Sequence, residues 1–131
     1  MATPPRPLSP HLQVYRPQYT SVLSVLHRAT GLVLALGLVL LAAALVALAE
    51  GPAAWARVAM LLGSGLGRLV AGGVAFAFWY HFCAGLRHLV FDSGRGLERS
   101  SARRSAAIVV VAALVLGAAT VLAMLRAGAQ P

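Results

Sequence analysis

The sequence predicts an all-α integral membrane protein with three transmembrane helices. Of its 131 residues, 60% are hydrophobic and only 11% are charged, whereas about a quarter of the residues in a soluble domain are charged. Three apolar runs each approach the ~20 residues that an α-helix needs to cross the hydrocarbon core of a bilayer. The runs lack the alternating pattern of transmembrane β-strands, so helices are the spanning structure that fits them.

The chain divides into an N-terminal segment and three spans. Residues 1–20 hold five of the seven prolines and no long apolar run, which predicts an irregular segment rather than a secretory signal peptide. The spans are expected at about 22–49, 68–92 and 105–126. Because the chain is short and shows no internal repeat, residues 1–131 are expected to form a single membrane-anchor domain.

The two connections carry helix-ending residues. Gly51 and Pro52 follow the first span, and a proline just past a helix end is a common stop signal. Gly94 and Gly96 follow the second span, where glycine readily takes the positive φ of a turn. The sequence therefore predicts a break at each of these points.

The arginines predict the orientation of the chain in the membrane. All eleven cationic residues are arginines. Eight of them flank the side that holds the N-terminus and the second connection, and three flank the other side. Since arginine accumulates in cytoplasmic segments, the N-terminus is predicted to be cytoplasmic and the C-terminus to lie on the opposite side. The net charge of +8 flanks the spans instead of clustering on a soluble face, so no nucleic-acid partner is expected.

One histidine lies deep within the second span. His81 comes thirteen residues after Arg68 and eleven before Asp92, roughly 16 Å from the inner helix end. An imidazole at this depth needs a partner inside the protein. Its helical face also holds small residues and a second histidine: Gly73, Ala77, Ala84, Gly85 and His88. Such a strip admits either another helix or a flat ligand such as haem, and the spacing leaves both interpretations open.

A second polar cluster lies at the entry to the first span. Its members share one helical face: Ser24, His27, Arg28 and Gly31. The second span ends on the same side of the membrane with Arg87, His88 and Asp92, so we expect the two groups to face each other at the inner rim of the bilayer. They would bind an anionic or carbonyl-bearing ligand there, since arginine pairs well with carboxylates. The alternative is that these side chains simply extend to the lipid headgroups.

Two segments carry a resemblance to a known family. RPLSPHLQVYRPQYTSVLSVLHRATG at 6–31 and HFCAGLRHLVFDSG at 81–94 resemble, in this order, the two signatures of the succinate dehydrogenase cytochrome b subunit. Members of that family are membrane anchors of respiratory complex II. The signatures cover about forty residues, and the three-span layout extends the resemblance over almost the whole chain. Tyr19 departs from the family pattern, which usually has an aliphatic residue there.

The resemblance implies roles for five residues. His81 matches the axial ligand of the iron in haem b. His27 and Arg28 match residues near the haem propionates, and Ser24 and Arg28 match residues that line the ubiquinone site. Asp92 matches an aspartate in the vicinity of the quinone.

The second axial ligand is expected from another chain. His88 lies on the same helix face as His81, about two turns or roughly 10 Å away, so it would not reach the opposite side of the iron. His27 is expected near the depth of His88, well below His81. The resemblance implies that a second small membrane anchor of the same complex supplies the missing ligand.

The implied function is that of a haem b-binding anchor in succinate dehydrogenase, a succinate:ubiquinone oxidoreductase. The chain would anchor the flavoprotein and iron–sulfur subunits and form part of the ubiquinone reduction site, so it would be one subunit of an enzyme. Its location would be the bacterial inner membrane, or the mitochondrial inner membrane in a eukaryote. The alternatives are the anchor of a quinol:fumarate reductase, a cofactor-free membrane scaffold and a small transporter component.

Overall fold

The computed structural model describes residues 15–127, which form four helices and no strand. The helices are α1 (Tyr19–Glu50), α2 (Pro52–Gly63), α3 (Gly65–Asp92) and α4 (Arg99–Ala127). Helices α1, α3 and α4 are long and apolar enough to cross a membrane. This confirms the all-α class with three spanning helices.

The long helices overlap the predicted spans and begin before them. Helix α1 begins at Tyr19 and α4 begins at Arg99, so residues that were expected to lie outside the first and third spans are helical. The reason is that arginine and tyrosine side chains extend from a helix to the headgroups, so polar residues at the bilayer surface do not end the helix. Residues 1–14 of the predicted irregular segment lie outside the described residues.

The first connection contains a helix that the sequence did not reveal. Gly51 has a φ of 115° and separates α1 from α2, and Pro52 occupies the first turn of α2, where its fixed φ suits a helix start. With 12 residues, α2 is about 18 Å long, too short to span a bilayer. The Ser64 hydroxyl then accepts a hydrogen bond from the Gly67 amide at 3.0 Å and caps α3.

Helix α3 lies at the centre and packs against both other spans. On α4, small residues face it: Ala106 and Ala113 are fully buried, and a Cβ at Gly117 would lie 3.2 Å from the Phe76 ring. On α1, a Cβ at Gly37 would lie 3.1 Å from Val74. Small residues at these crossings let the helices approach closely, as in other membrane bundles.

Two side-chain hydrogen bonds tie α3 to its neighbours. The Trp79 indole N–H donates to Thr120 Oγ1 on α4 at 2.8 Å. The Tyr80 hydroxyl donates to the Leu23 carbonyl on α1 at 3.1 Å, and this bond is buried. Together they fix the start of α1 and the C-terminal third of α4 against the same turn of α3, which positions the polar residues described next.

Candidate functional site

Three histidines meet where the beginning of α1 lies beside the end of α3. The ring of His27 stacks on that of His81, with centroids 4.1 Å apart and planes inclined by 30°. On its other side, the ring centroid of His27 lies 5.0 Å from that of His88. The structure therefore brings together residues from both predicted polar clusters.

The ring of His81 is held by the backbone of α1. Its Nδ1 lies 3.0 Å from the His27 carbonyl oxygen and 3.4 Å from Thr30 Oγ1. With a proton on Nδ1, the ring donates to the His27 carbonyl and leaves the lone pair of Nε2 available. This arrangement orients one specific ring nitrogen of His81 as an acceptor or metal ligand.

Thr30 donates to the same carbonyl, and sequence reasoning did not assign it a function. Its Oγ1 lies 2.8 Å from the His27 carbonyl oxygen and 2.9 Å from the Leu26 carbonyl oxygen, so the hydroxyl bonds back to the preceding turn. The sequence placed Thr30 in the polar segment at the start of the first span. Because a threonine in a helix commonly bonds back to its own backbone, nothing in the pattern pointed to His81.

The small residues beside His81 lie on both helices. A Cβ at Gly31 would lie 3.0 Å from His81 Cε1, tighter than such contacts normally allow, whereas a Cβ at Gly85 would lie 3.8 Å from His27 Nε2. A Cβ at Gly73 would meet nothing within 4 Å, so this member of the predicted strip leaves open space. The glycine that lies closest to the His81 ring is therefore Gly31 on α1, and not a glycine of α3 itself.

The expected depth of His27 is wrong. It was placed near His88 and well below His81, but its ring lies between the two. The reason is that α1 begins at Tyr19, so His27 is eight residues from the helix start, while His81 is eleven residues from the end of α3. Depth therefore does not separate His27 from His81.

His27 carries an unsatisfied ring nitrogen. Within the part of the chain that the structure describes, its buried Nε2 has no hydrogen-bond partner. Leaving a buried polar atom unpaired costs about 1–3 kcal/mol. Such an atom marks a position where a bound group or a neighbouring chain would complete the site.

Ser24 and Arg28 lie one turn apart on α1. Arg28 is exposed and its Nε approaches the Ser24 carbonyl oxygen at 3.5 Å, while Ser24 is half-buried. Asp92 is exposed at the end of α3, and among residues 15–127 no ion pair or hydrogen bond joins it to either of them. A cavity of about 510 Å³ at this end of the bundle is lined by polar residues including Gln18 and Arg103, but by neither Ser24 nor Arg28.

The expectation that Arg87 faces the Ser24–Arg28 cluster is wrong. Its guanidinium donates to Ser105 Oγ at 3.0 Å and to the Ala102 carbonyl at 3.2 Å, both on α4. Consecutive helical residues are about 100° apart. Since His88 faces α1, Arg87 is turned toward α4.

The histidine cluster is not a protein-only metal site. Within residues 15–127, no group of three or more His, Cys, Asp or Glu side chains is placed to hold a metal ion. Structural metal sites made of protein ligands alone usually have four ligands. A metal at His81 would therefore have to arrive within a prosthetic group or be shared with another chain.

Comparison with known proteins identifies the family. A family model described as succinate dehydrogenase/fumarate reductase transmembrane subunit matches residues 2–120. The chain belongs to this family. It is 42% identical to the succinate dehydrogenase cytochrome b556 subunit of Paracoccus denitrificans over 117 residues, which is 89% of this chain and 90% of the relative.

Two further relatives extend this comparison. The chain is 34% identical to the succinate dehydrogenase cytochrome b556 subunit of Rickettsia felis over 111 residues, 85% of this chain and 86% of that one. It is 32% identical to the mitochondrial cytochrome b560 subunit of Dictyostelium discoideum over 117 residues, 88% of this chain and 61% of that one. Membership of the transmembrane subunit family confirms the resemblance found in the two signatures, and the three spanning helices confirm the predicted membrane location.

Proposed function

We propose that this chain is the haem b-binding anchor of a succinate:ubiquinone oxidoreductase, with His81 as an axial ligand of the haem iron. The observation that carries the proposal is the 3.0 Å contact between His81 Nδ1 and the His27 carbonyl oxygen. Ligating histidines almost always donate their other ring N–H to a carbonyl, carboxylate or water, which fixes the ring and raises its basicity as a ligand. The cytochrome b names of the relatives support haem b as the bound group.

The residues around His81 fit such a group. The absence of a side chain at Gly31 lets the backbone of α1 lie against the His81 ring, because even a Cβ there would be 3.0 Å from Cε1. The unpaired Nε2 of His27 and the exposed guanidinium of Arg28 supply a donor and a charge for the anionic propionates. Charge-assisted hydrogen bonds to a carboxylate are about twice as strong as neutral ones, so these two residues would orient the group.

The protein would contribute a ligand for the iron and a hydrogen-bond acceptor that orients this ligand. When bound, haem b supplies an iron that takes up and releases single electrons. His81 would hold this iron through Nε2, and the His27 carbonyl would keep the proton on Nδ1. The identity of the axial ligand, its hydrogen bonding and the burial of the site then set the reduction potential.

The second axial ligand is proposed to come from the second small membrane anchor of the complex. His27 and His81 present their ring faces to each other, so the two residues would not both direct a ring nitrogen at one iron. His88 lies beyond His27, on the same face of α3 as His81. The stacking of the His27 and His81 rings, and not the depth of His27, is therefore the reason that a second ligand is not expected from His27.

Ubiquinone is proposed to bind at the Ser24–Arg28 turn of α1. An exposed guanidinium beside a half-buried serine offers two donors for a quinone carbonyl, and preorganised donors stabilise the negative charge that develops as the carbonyl is reduced. Asp92 ends α3 at the same end of the bundle and is proposed to lie in the quinone vicinity. Since the turn is open, the partner subunits would complete the pocket.

This end of the bundle is also the proposed docking side for the soluble subunits. The beginning of α1, the end of α3 and the beginning of α4 meet there, because His27 contacts His88 and Arg87 contacts Ala102. Arginine enrichment at one end marks the cytoplasmic side, so the N-terminus would be cytoplasmic and the C-terminus opposite. The flavoprotein and iron–sulfur subunits would attach at this face.

A substitution at Gly31 tests the haem site. The complex produced with its three partner subunits should show a reduced b-type haem band. Gly31→Leu should lose most of that band, because even a Cβ there would lie 3.0 Å from His81 Cε1. Gly73→Leu is the matched control, since a Cβ there meets nothing within 4 Å. A wild-type complex without haem would contradict the proposal and favour a cofactor-free scaffold.

Removing the Thr30 hydroxyl should lower the haem reduction potential without removing the haem. In Thr30→Val the His27 carbonyl loses a competing donor and accepts more strongly from His81 Nδ1, which increases electron donation to the oxidised iron. The expected shift is roughly 20–60 mV, equivalent to about 0.5–1.5 kcal/mol for one electron. Redox titration of the haem band measures it, with Thr120→Val as the control because Thr120 bonds Trp79 instead. An unchanged potential would show that Thr30 does not act on His81.

A further inference from the structure

An intramembrane arginine lies on a different face of α3 from the histidines and has only neutral partners. The guanidinium of Arg87 bonds Ser105 and the Ala102 carbonyl, and its Cζ lies 4.4 Å from the Phe91 ring centroid. Among the described residues no carboxylate pairs with it. These contacts satisfy part of the guanidinium, but they do not neutralise its positive charge, so an anion from outside this chain would pair with it.

Arg87 also lines an apolar groove between α3 and α4, which we call the α3–α4 groove. Its volume is about 320 Å³, near the lower limit of ~300–1,000 Å³ for small-molecule sites. Its walls are mainly apolar: Leu86, Val90, Phe91, Ile108, Val109 and Ala112. Only Arg87 and two serines, Ser101 and Ser105, add clearly polar groups.

The groove continues along α4 toward the middle of the membrane. Beyond the groove, a shallow apolar surface formed by α4 alone includes Ile108 and Ala112 and extends to Val115 and Leu116. The combined path runs along a helix axis, from a charged end to a purely apolar end. This is the shape and polarity of one extended acyl chain beneath a polar headgroup.

The arginines near the Arg87 end of the groove favour a lipid with an anionic headgroup. Between residues 87 and 104 the chain carries five arginines but only two carboxylates, Asp92 and Glu98. Arg104 is exposed and shares a helical face with Ser101 and Ile108, three and four residues away, so it flanks the groove. Basic pockets between transmembrane helices on the cytoplasmic side bind anionic lipid headgroups.

We propose that the α3–α4 groove binds an anionic phospholipid, with one acyl chain along the groove and the phosphate at Arg87 and Arg104. The phosphate of a zwitterionic lipid is offset by the lipid's own cation, so it would not balance the excess of arginines at this end of the groove, and a ubiquinone carbonyl carries no charge at all. The proposal does not depend on the haem or on the quinone site, because the residues of the groove face α4 while His81 and His88 face α1.

Photocrosslinking in the intact complex tests the proposal. The complex with its partner subunits is delipidated in mild detergent and titrated with phosphatidylglycerol that carries a diazirine on one acyl chain. Crosslinks should map to α4 around Ile108 and Ala112, and the same phosphatidylcholine probe should give far fewer. Arg104→Gln should weaken phosphatidylglycerol binding about fivefold, since one arginine near the membrane surface contributes about 1 kcal/mol.

Two further variants distinguish lipid binding in the groove from non-specific lipid contact with the complex. Ala112→Phe should block the crosslink by filling the groove without changing charge. Arg57→Gln removes an exposed arginine on α2, at the other end of the bundle, and should leave the crosslink unchanged. Equal labelling by both lipids, or no change in Arg104→Gln, would overturn the proposal. Loss of the soluble subunits in Arg104→Gln would assign this arginine to a protein partner instead and would equally overturn it.

Discussion

His81→Ala is expected to abolish haem binding while the complex still assembles. The substitution removes the one nitrogen of this chain proposed to hold the iron, and His27 is not expected to replace it because its ring face, not a ring nitrogen, lies against the His81 ring. Even loss of a residue that supports a metal ligand typically lowers affinity by roughly 10–100-fold, so removal of the ligand should exceed this. The reduced b-type band of the purified complex measures the loss, normalised to the flavin of the soluble flavoprotein.

Two companion variants make the His81 result specific. His81→Met keeps a ligating atom, so the haem should remain with a raised potential, because methionine ligation raises the potential of haem iron. His88→Ala removes a half-buried histidine from the same helix face but no proposed ligand, so the band should persist. A haem spectrum unaltered in His81→Ala would refute the ligand assignment.

The sequence was sufficient to predict the fold class and to single out the three histidines that the structure brings together, His27, His81 and His88. Long apolar runs decide the number of spans, since a bilayer leaves a chain few alternatives. The short helix α2 escaped prediction because its sequence, PAAWARVAMLLG, begins with a proline that is a stop signal for the preceding span. A proline that ends one helix suits the first turn of the next equally well.

Distances between helices could not be predicted. The approach of His27 to His81 depends on where α1 begins and on close packing at Gly31, and neither follows from counting residues within one span. The orientation of α3 about its own axis was not predicted for a similar reason. His81 and Arg87 were judged by depth, but 100° per residue sends one toward α1 and the other toward α4.

Arg28→Ala is expected to lower the rate of ubiquinone reduction by about 10²-fold, with little effect on succinate oxidation by soluble artificial acceptors. Losing one preorganised donor to a developing oxyanion typically reduces turnover by about 10²–10³-fold. The two assays, made on the same purified complex, separate the quinone site from the flavin site. Arg16→Ala is the matched control, because Arg16 is also exposed and precedes α1 on the same side. Equal activity of Arg28→Ala and wild type with ubiquinone would remove Arg28 from the site.

Arg28→Lys distinguishes the two roles proposed for this arginine. Lysine keeps the positive charge but not the planar fork of donors. If Arg28 mainly balances the propionates by charge, the lysine variant should keep the haem potential and most of the quinone activity. If it binds the quinone carbonyl jointly with Ser24, geometry matters: its Nε already lies 3.5 Å from the Ser24 carbonyl, which sets the guanidinium beside the serine. In that case Arg28→Lys should lose quinone reduction nearly as fully as Arg28→Ala while the haem potential stays unchanged.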